Sequence, residues 1–405
     1  MLHQLENVIT SISDAVWPVF LPFMLIVGAI TSIRTIFIIQ KRTTKPAKLQ
    51  FKNIIGPASI SLGAMVGTGA VVGVLGAISK LYMKGQYNIE AMALWALIGA
   101  CIMIPVSYSE ALNSKIMKKG PREYISDMIS PKVGLFYAVS IVALIVFGFG
   151  GFQFSGIDSV FTIVASKFMN VELSLMQRYL FIVKTSSYIP QFLSGMIEGM
   201  MNPVPMLIGI PAGLILGMQK VLQTVETGLG CLAMSVQQSD SEPREAGMIS
   251  LIPSIVTLFV AIFITSYIAS YGIEAGVIDY SLGLNALERL TTFFDTAASV
   301  TGVFGIIVLS LFTVLSATTT ILGSYYYLRK LFKKNSDNKN IVIYLVTIIS
   351  AGTLAIFGAN VVFEAVDLLL FVCCGLNVTA LCIFTFKEWK KYEIVEDNED
   401  NQKSA

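Results

Sequence analysis

Nine apolar segments, each long enough to cross a lipid bilayer, constrain this chain more than any other feature. A transmembrane helix needs about 20 mostly apolar residues, and only helices and closed barrels satisfy every backbone polar group inside a membrane. The 405 residues are 55% hydrophobic and 13% charged, whereas soluble domains contain about 25% charged residues. The sequence therefore predicts an all-α polytopic membrane protein. The nine predicted spans are 15–39, 56–79, 91–112, 133–165, 203–236, 247–269, 302–328, 341–357 and 361–386.

Lysine and arginine are distributed unevenly between the links that join these spans. The basic clusters lie at 41–52, 115–132, 329–339 and 387–391. The links at 80–90 and 270–299 are poorer in these residues. Cytoplasmic links carry an excess of lysine and arginine, so the pattern predicts an external N-terminus and a cytoplasmic C-terminus.

The same pattern divides the chain into a membrane domain and two short ends. The membrane domain is predicted at 15–390, preceded by an interfacial segment at 1–14 with apolar residues at helical spacing. Residues 391–405 form a polar cytoplasmic tail. Residues 167–202 lack a clean apolar run and are too few for two ordinary spans with their links. We therefore expect re-entrant or interfacial helices there, with no full crossing.

The span at 56–79 is unusually rich in glycine, with Gly67-Thr68-Gly69 near its middle. A glycine inside a helix costs about 1 kcal/mol relative to alanine. Taken alone, this span has two explanations that stay open. Either the helix breaks and exposes backbone groups to a cavity, or small residues spaced four apart allow close helix packing.

A second glycine-rich interruption occurs at Glu226-Thr227-Gly228-Leu229-Gly230. In the predicted topology it enters the membrane from the side opposite to the first. Paired interruptions of opposite orientation are typical of inverted-repeat transporters, in which broken helices hold the substrate and the coupling ion. The pair therefore favours a transporter over a protein that only packs its helices closely.

Polar side chains within the apolar spans are further candidates for function. Thr318-Thr319-Thr320 follows Ser316 inside one span. These hydroxyls either bond back to their own helix or supply oxygen ligands to a hard cation. Ionisable residues inside a membrane are functional candidates by default. Those in or at the ends of spans are Glu110, Asp158, Glu226 and Asp367.

Several functional classes find little support in the sequence. His3 is the single histidine, and the five cysteines lie in apolar runs without metal-ligand spacing. We therefore expect neither an enzyme nor a metal cofactor. A net charge of +2 gives no indication of nucleic-acid binding.

Short runs across most of the chain carry a recognisable combination of motifs. These are Trp17-Pro18, Ile39-Gln40, Val66-Gly67-Thr68-Gly69 with Gly73, Gly120-Pro121 with Tyr124-Ile125, Glu226-Thr227-Gly228-Leu229-Gly230, Pro243-Arg244 with Gly247, Thr320-Ile321-Leu322-Gly323 with Tyr326-Tyr327, and Asp367 with Asn377. Together they resemble the alanine/glycine:cation symporter family, also called the sodium:alanine symporters, with its VGTGN…G, GGPxYYI, NEAGLGSAP, HPVRQG and STILGWSYYG motifs.

The resemblance implies a leucine-transporter-like inverted-repeat fold preceded by one extra N-terminal helix, with 11 spans in the complete family pattern. It also implies sodium- or proton-coupled uptake of a small neutral amino acid by alternating access, in a plasma membrane of the bacterial inner-membrane type. Sodium is the expected coupling ion, and no other cofactor is expected. The implied substrate-binding residues are Gly67, Thr68, Gly69, Gln153, Gly156, Gly228, Gly230, Cys231 and Ser324. The implied sodium ligands are Gly63, Val66, Thr319 and Thr320.

The chain departs from the family motifs at the implied substrate site. Ala70 replaces an asparagine, Ser324 replaces a tryptophan and Cys231 replaces a serine. Gly156 aligns best with a family glutamine, although Gln153 is an alternative, shifted equivalent. The smaller side chains suggest the hypothesis of a roomier pocket that accepts something other than glycine or alanine.

A larger departure concerns the middle of the chain. The resemblance implies a first repeat at about 54–202 and a second at about 203–390, and the first is shortened by two helices. A homo-oligomer or a partner subunit would compensate for the loss. The alternative function is a membrane protein that binds an amino acid without transporting it, in a regulatory role or as a degenerate paralogue.

Overall fold

The computed structural model describes residues 2–83, 89–151, 185–201, 216–222, 224–237, 239–282, 286–333, 335–354 and 359–394, with isolated positions in 153–164 and at 214 and 284. Every regular element in these residues is helical. The predicted all-α class is therefore confirmed.

The longer helices of the described residues, together with the short helix after the second glycine-rich interruption, are numbered here along the chain. They are α1 Leu2–Arg34, α2 Phe51–Met65, α3 Thr68–Met83, α4 Glu90–Met117, α5 Pro121–Met128, α6 Pro131–Leu144, α7 Ile189–Met201, α8 Cys231–Val236, α9 Pro243–Thr257 continuing to Glu274, α10 Ala286–Thr301, α11 Val303–Leu331, α12 Asp337–Leu354 and α13 Ala359–Ile383. Wider π-helical turns extend α1 at Thr35–Ile39, α6 at Ile145–Gly151 and α13 at Phe384–Glu388, and another lies within α9 at Leu258–Ile264.

Six of these helices, and α2 with α3 as one bent pair, are long and apolar enough to cross a membrane. Large apolar side chains such as Val19, Leu322 and Ile349 face outward from them, as expected where lipid rather than water is the solvent. Residues 203–213, 215 and 223 of the span predicted at 203–236 lie outside the described residues, and the span predicted at 341–357 overlaps α12. The protein is an integral membrane protein, and the total of nine spans stays a prediction.

Contacts between the helix ends bring the basic segments together at one end of the bundle, called here the basic end. Arg42 lies 3.5 Å from Glu393, and Lys333 lies 2.9 Å from Glu123. The Arg122 guanidinium donates to the carbonyl oxygen at the end of α11 at 2.7 Å. At the opposite end, Ser270 at the end of α9 donates to Glu90 at the start of α4. The helix ends alternate as the charge pattern predicts.

Helix α4 lies at the centre of the bundle and positions the site. It packs against α1, α7, α8 and α9, and its second half is almost entirely buried. Lys118 ends it with a left-handed φ of 54°, after which Gly120 and Pro121 start α5. Glu110, near its C-terminal end, has no exposed surface.

Two segments with predicted interfacial character differ in their structure. Residues 2–14 continue into α1 without a break, so they form one helix with the first span. In the segment 167–202, α7 has 13 residues, about 20 Å of helix, which is shorter than the membrane's apolar core of about 30 Å. Residues 165–184 lie outside the described part, so the absence of a full crossing there stays a prediction.

Candidate functional site

The first glycine-rich interruption is a break between α2 and α3. Val66 leaves the helical conformation, with φ −85° and ψ 64°, and the segments Phe51–Met65 and Gly69–Tyr82 are bent by 43°. The predicted break at Gly67-Thr68-Gly69 is thus confirmed. The last carbonyl groups of a helix have no partners within it, so the end of α2 presents oxygen atoms to its surroundings.

Gly67 allows three parts of the chain to meet at this break. A Cβ atom at this position would lie 2.5 Å from Gln153 Nε2 and 2.8 Å from Thr320 Oγ1. Both distances are too short for a real side chain. Close packing and helix breaking, the two explanations open for this span, therefore occur together at Gly67.

The Thr320 hydroxyl connects α11 to the end of α2. It lies 2.8 Å from the Gly63 carbonyl oxygen, 3.2 Å from that of Ala64 and 3.0 Å from that of Ser316. A hydroxyl has one proton to donate, so the three carbonyl groups share the Thr320 proton, although Ser316 also accepts from Thr319 at 2.9 Å. The result is a cluster of four oxygen atoms with little positive charge among them.

The neighbouring threonines behave differently. Thr318 donates to Val314 of its own helix at 2.8 Å, and Thr319 donates to Ser316 at 2.9 Å. Both side chains are exposed. The main chain and Cβ of Thr319 lie against Gly63. Back-bonding thus accounts for Thr318, whereas Thr320 reaches across to α2.

The second interruption is also a break, with a left-handed backbone at three positions. Glu226 has φ 50°, Gly228 has φ 77° and Gly230 has φ 98°. Helical residues end at 225, and α8 begins at Cys231. Only glycine adopts this conformation without cost, so the two glycines are required by the backbone, and Glu226 is an exception.

Side chains from other helices hold the carbonyl groups of this second break. Tyr137 Oη donates to the Leu229 carbonyl oxygen at 2.6 Å, and Asn377 Nδ2 donates to that of Gly228 at 2.8 Å. Cys374 Sγ lies 3.8 Å from the Thr227 carbonyl oxygen. The backbone of the second break is therefore occupied by protein groups.

Glu110 caps the helix that follows the second break. Its Oε1 accepts from the Ala233 amide at 3.0 Å, and its Oε2 accepts from Asn377 Nδ2 at 3.3 Å. Tyr124 Oη donates in turn to Asn377 Oδ1. A carboxylate at a helix N-terminus is stabilised by the helix dipole and the free amides. This buried network satisfies the start of α8.

A cavity of about 50 Å³ lies between the two breaks. One water molecule needs at least about 10–15 Å³ measured in this way, so the cavity accepts a ligand of only a few non-hydrogen atoms. Its lining comprises Ala64, Met65, Gly67, Gly69, Ala70, Leu144, Gly148, Phe149, Gln153, Glu226, Leu229, Val366 and Leu370. The volume does not support the roomier pocket expected from the motif departures.

The predicted substrate-binding residues fall into two groups. Gly67, Gly69 and Gln153 line the cavity. Others lie beside it or turn away from it: Gly156, Gly228, Gly230, Cys231 and Ser324 are absent from the lining. Cys231 is fully buried with its thiol next to the Glu226 carboxylate, and the Ser324 hydroxyl donates to Ile321 of its own helix. The side chain of Thr68 lies outside the described residues.

Several lining residues lie in predicted spans but outside the predicted set of site residues. Leu144, Gly148 and Phe149 reach the cavity from the end of α6 and the π-helical turn Ile145–Gly151. The cluster of Gly148, Gly150 and Gly151 was the available signal for this region. Glu226 was noted as an intramembrane acid, yet its side chain was not placed at the substrate.

Comparisons with known proteins add an independent result. Comparison with curated proteins gives no match. The sequence profile of the sodium:alanine symporter family matches residues 154–405. This range includes the second break, Ser316, Thr320 and the last helix, while the first break precedes it. The match covers more than half of the residues of this chain, so the chain belongs to the sodium:alanine symporter family.

Proposed function

We propose that this protein is a secondary active transporter that couples a cation to the uptake of a small neutral amino acid by alternating access. The observation that carries the proposal is one small cavity between two broken helices. Asn53 near the start of α2 bonds to Glu245 at the basic end, so α2 runs from the basic end to the first break. Gln237, just after α8, contacts Ser114 there, so the second break runs toward it.

The carboxylate of the amino acid is assigned to the start of α3. Gly69 and Ala70 in its first turn line the cavity. The Ala70 amide bonds to the Gly67 carbonyl oxygen at 3.1 Å, so the other amides of the first turn, which have no partner within the helix, would bind the anion together with the favourable dipole of that end. Gln153 supplies an amide beside Gly67 that would orient the ligand further.

Sodium is assigned to the oxygen cluster next to the first break. The carbonyl oxygens of Gly63, Ala64 and Ser316 meet the Thr320 hydroxyl, with Val66 and Thr319 as additional candidates. Hard cations prefer oxygen ligands of this kind. None of these groups titrates near neutral pH, which favours sodium over a proton at this position.

The alternative function is a protein that binds an amino acid without transporting it. It is favoured by the predicted shortening of the first repeat, in which the described helix α7 has only 13 residues. Gly195 of α7 packs against Glu90, and Phe192 packs against Phe263 and Tyr267 of α9. Membership of a transporter family argues against catalysis in either case.

The test is sodium-gradient uptake of a panel of labelled amino acids into proteoliposomes. We expect saturable accumulation that Thr320→Ala makes at least tenfold less sensitive to sodium. Thr318→Ala is the matched control, since this hydroxyl is exposed and bonds only to its own helix; it should leave sodium dependence unchanged. If Thr320→Ala retains normal sodium dependence, the cation assignment is wrong. Binding without accumulation would favour the alternative.

A further inference from the structure

We propose that the carboxylate of Glu226 binds the ammonium group of the substrate, so that the protein recognises amino acids as zwitterions and rejects analogues that lack the amine. The proposal rests on the proposed amino-acid transport and assigns a residue to one pole of the ligand. It combines the position, the bonding and the backbone conformation of Glu226.

Glu226 is a buried acid at the cavity wall. The residue is 1% exposed and it lines the cavity. Oε2 accepts from Tyr327 Oη at 3.4 Å and the Cys231 thiol lies next to the carboxylate, whereas Oε1 has no hydrogen-bond partner in the part of the chain that the structure describes. Buried polar atoms are rarely left without a partner, and a buried charge needs compensation. A ligand with a positive charge would supply it.

Two other buried glutamates show the contrast. Both carboxylate oxygens of Glu110 accept hydrogen bonds, from Ala233 and Asn377. Both oxygens of Glu245 do so as well, from the Gln50 amide and Asn53. Neither Glu110 nor Glu245 lines the cavity. These two acids bind the protein itself, whereas Glu226 keeps an acceptor available at the cavity.

The backbone of Glu226 gives a second, independent indication. Its φ of 50° is left-handed, a conformation that is strained for a residue with a side chain. Glycine occupies the two other left-handed positions of the same break, so glycine would serve here without strain. Strained residues that persist at ligand sites are a reason to infer function. The strain at Glu226 is thus explained if its carboxylate is needed.

The two charged groups of a zwitterion would then bind to two different walls of the cavity. The start of α3 binds the carboxylate beside Gly69, which lines the cavity, and the second break presents Glu226 to the ammonium group. An analogue without the amine leaves a buried carboxylate unpaired. Sites built to bond one polar group reject the analogue lacking it by a factor of about 10⁴ or more. We expect at least a hundredfold preference for the amine.

The experiment compares L-alanine with L-lactate, which carries a hydroxyl in place of the ammonium group. Wild-type proteoliposomes should take up labelled alanine, and unlabelled alanine should compete at least a hundredfold better than lactate. Glu226→Gln should weaken alanine competition about a hundredfold, leave lactate competition unchanged, and keep the half-saturating sodium concentration. Glu245→Gln is the control, because it removes a buried acid far from the cavity lining; it should keep the preference for alanine.

A second variant guards against a folding failure. Glu226→Gly removes the left-handed strain and should remain folded, while it loses the preference for alanine over lactate. If either folded variant keeps that preference, the proposal is overturned. It is also overturned if Glu226→Gln changes only the sodium requirement, since the carboxylate would then be a cation ligand. If wild-type protein takes up no amino acid, the proposed function itself fails, which is a distinct outcome.

Discussion

Substitution of Gly67 by alanine is the most direct test of how the first break is built. The new methyl group would lie 2.5 Å from Gln153 Nε2 and 2.8 Å from Thr320 Oγ1. Optimal contacts of carbon atoms begin near 3.5 Å, so the overlaps are about 1.0 Å and about 0.7 Å. The φ of Gly67 lies outside the left-handed region, so the penalty is steric rather than conformational.

Thr320 and Gln153 differ in how easily they can move away from the added methyl group. Thr320 is branched at Cβ and stiff, and its hydroxyl is held by three carbonyl groups. The Gln153 side chain is flexible, but it lines the cavity and would have to move from its place there. Overpacking of this kind costs about 1–3 kcal/mol. We expect Gly67→Ala to lower stability by about 2 kcal/mol and to reduce uptake at least tenfold.

Two further variants make the measurement specific. Gly56 also lies in α2, and a Cβ atom added there would have no other atom within 4 Å. Gly56→Ala should therefore leave the stability of the protein unchanged or raise it by up to about 1 kcal/mol. Adding Gln153→Ala to Gly67→Ala should recover about 1 kcal/mol of stability relative to additivity. Thermal unfolding in detergent and uptake in proteoliposomes give both readouts. Equal behaviour of Gly67→Ala and Gly56→Ala would refute the reasoning.

Two other predictions concern the second break and the orientation of the chain. Gly230→Ala and Gly276→Ala each place a side chain at left-handed φ, but an added Cβ meets Pro121 at 2.9 Å only in the first. Gly230→Ala should therefore unfold at a lower temperature than Gly276→Ala by the equivalent of about 1–3 kcal/mol, and equal losses would contradict the packing described. For the orientation, exposed Lys48 and Ser281 lie in links at opposite ends of the bundle. In a Cys101→Ser background, Ser281→Cys should react with an impermeant maleimide in intact cells and Lys48→Cys only after permeabilisation; the reverse pattern would refute the predicted sidedness.

The sequence was informative where one residue type has a single physical consequence. Glycine inside a membrane helix is costly unless the helix breaks or another chain segment comes close, and both occur at Gly67. Left-handed backbone requires glycine at Gly228 and Gly230, so the second break was also predictable. The basic links predicted which helix ends lie together because lysine and arginine are concentrated in the links on one side of a membrane protein.

The sequence was less informative where the outcome depends on which side chains meet. Gly228 and Gly230 belong to the second break but do not line the cavity. Of that break, only Glu226 and Leu229 line it, and the side chains that bond to the carbonyl groups of the break come from other helices. Gln153 and Gly156 are three residues apart, about one helical turn, and only the packing against Gly67 distinguishes them. Ser324 follows Thr320 by one turn, but it bonds to its own helix.

The two breaks therefore have different consequences for transport. In the second, Tyr137, Asn377 and Cys374 each approach a carbonyl oxygen, and Glu110 caps the following helix, so the backbone is fixed without any ligand. In the first, the carbonyl groups of Gly63 and Ala64 share the proton of Thr320, and a bound cation would add positive charge beside them. We infer that ligand binding stabilises the first break far more than the second. A transporter that changes conformation on loading would accordingly bend between α2 and α3, where the two helices already differ by 43°.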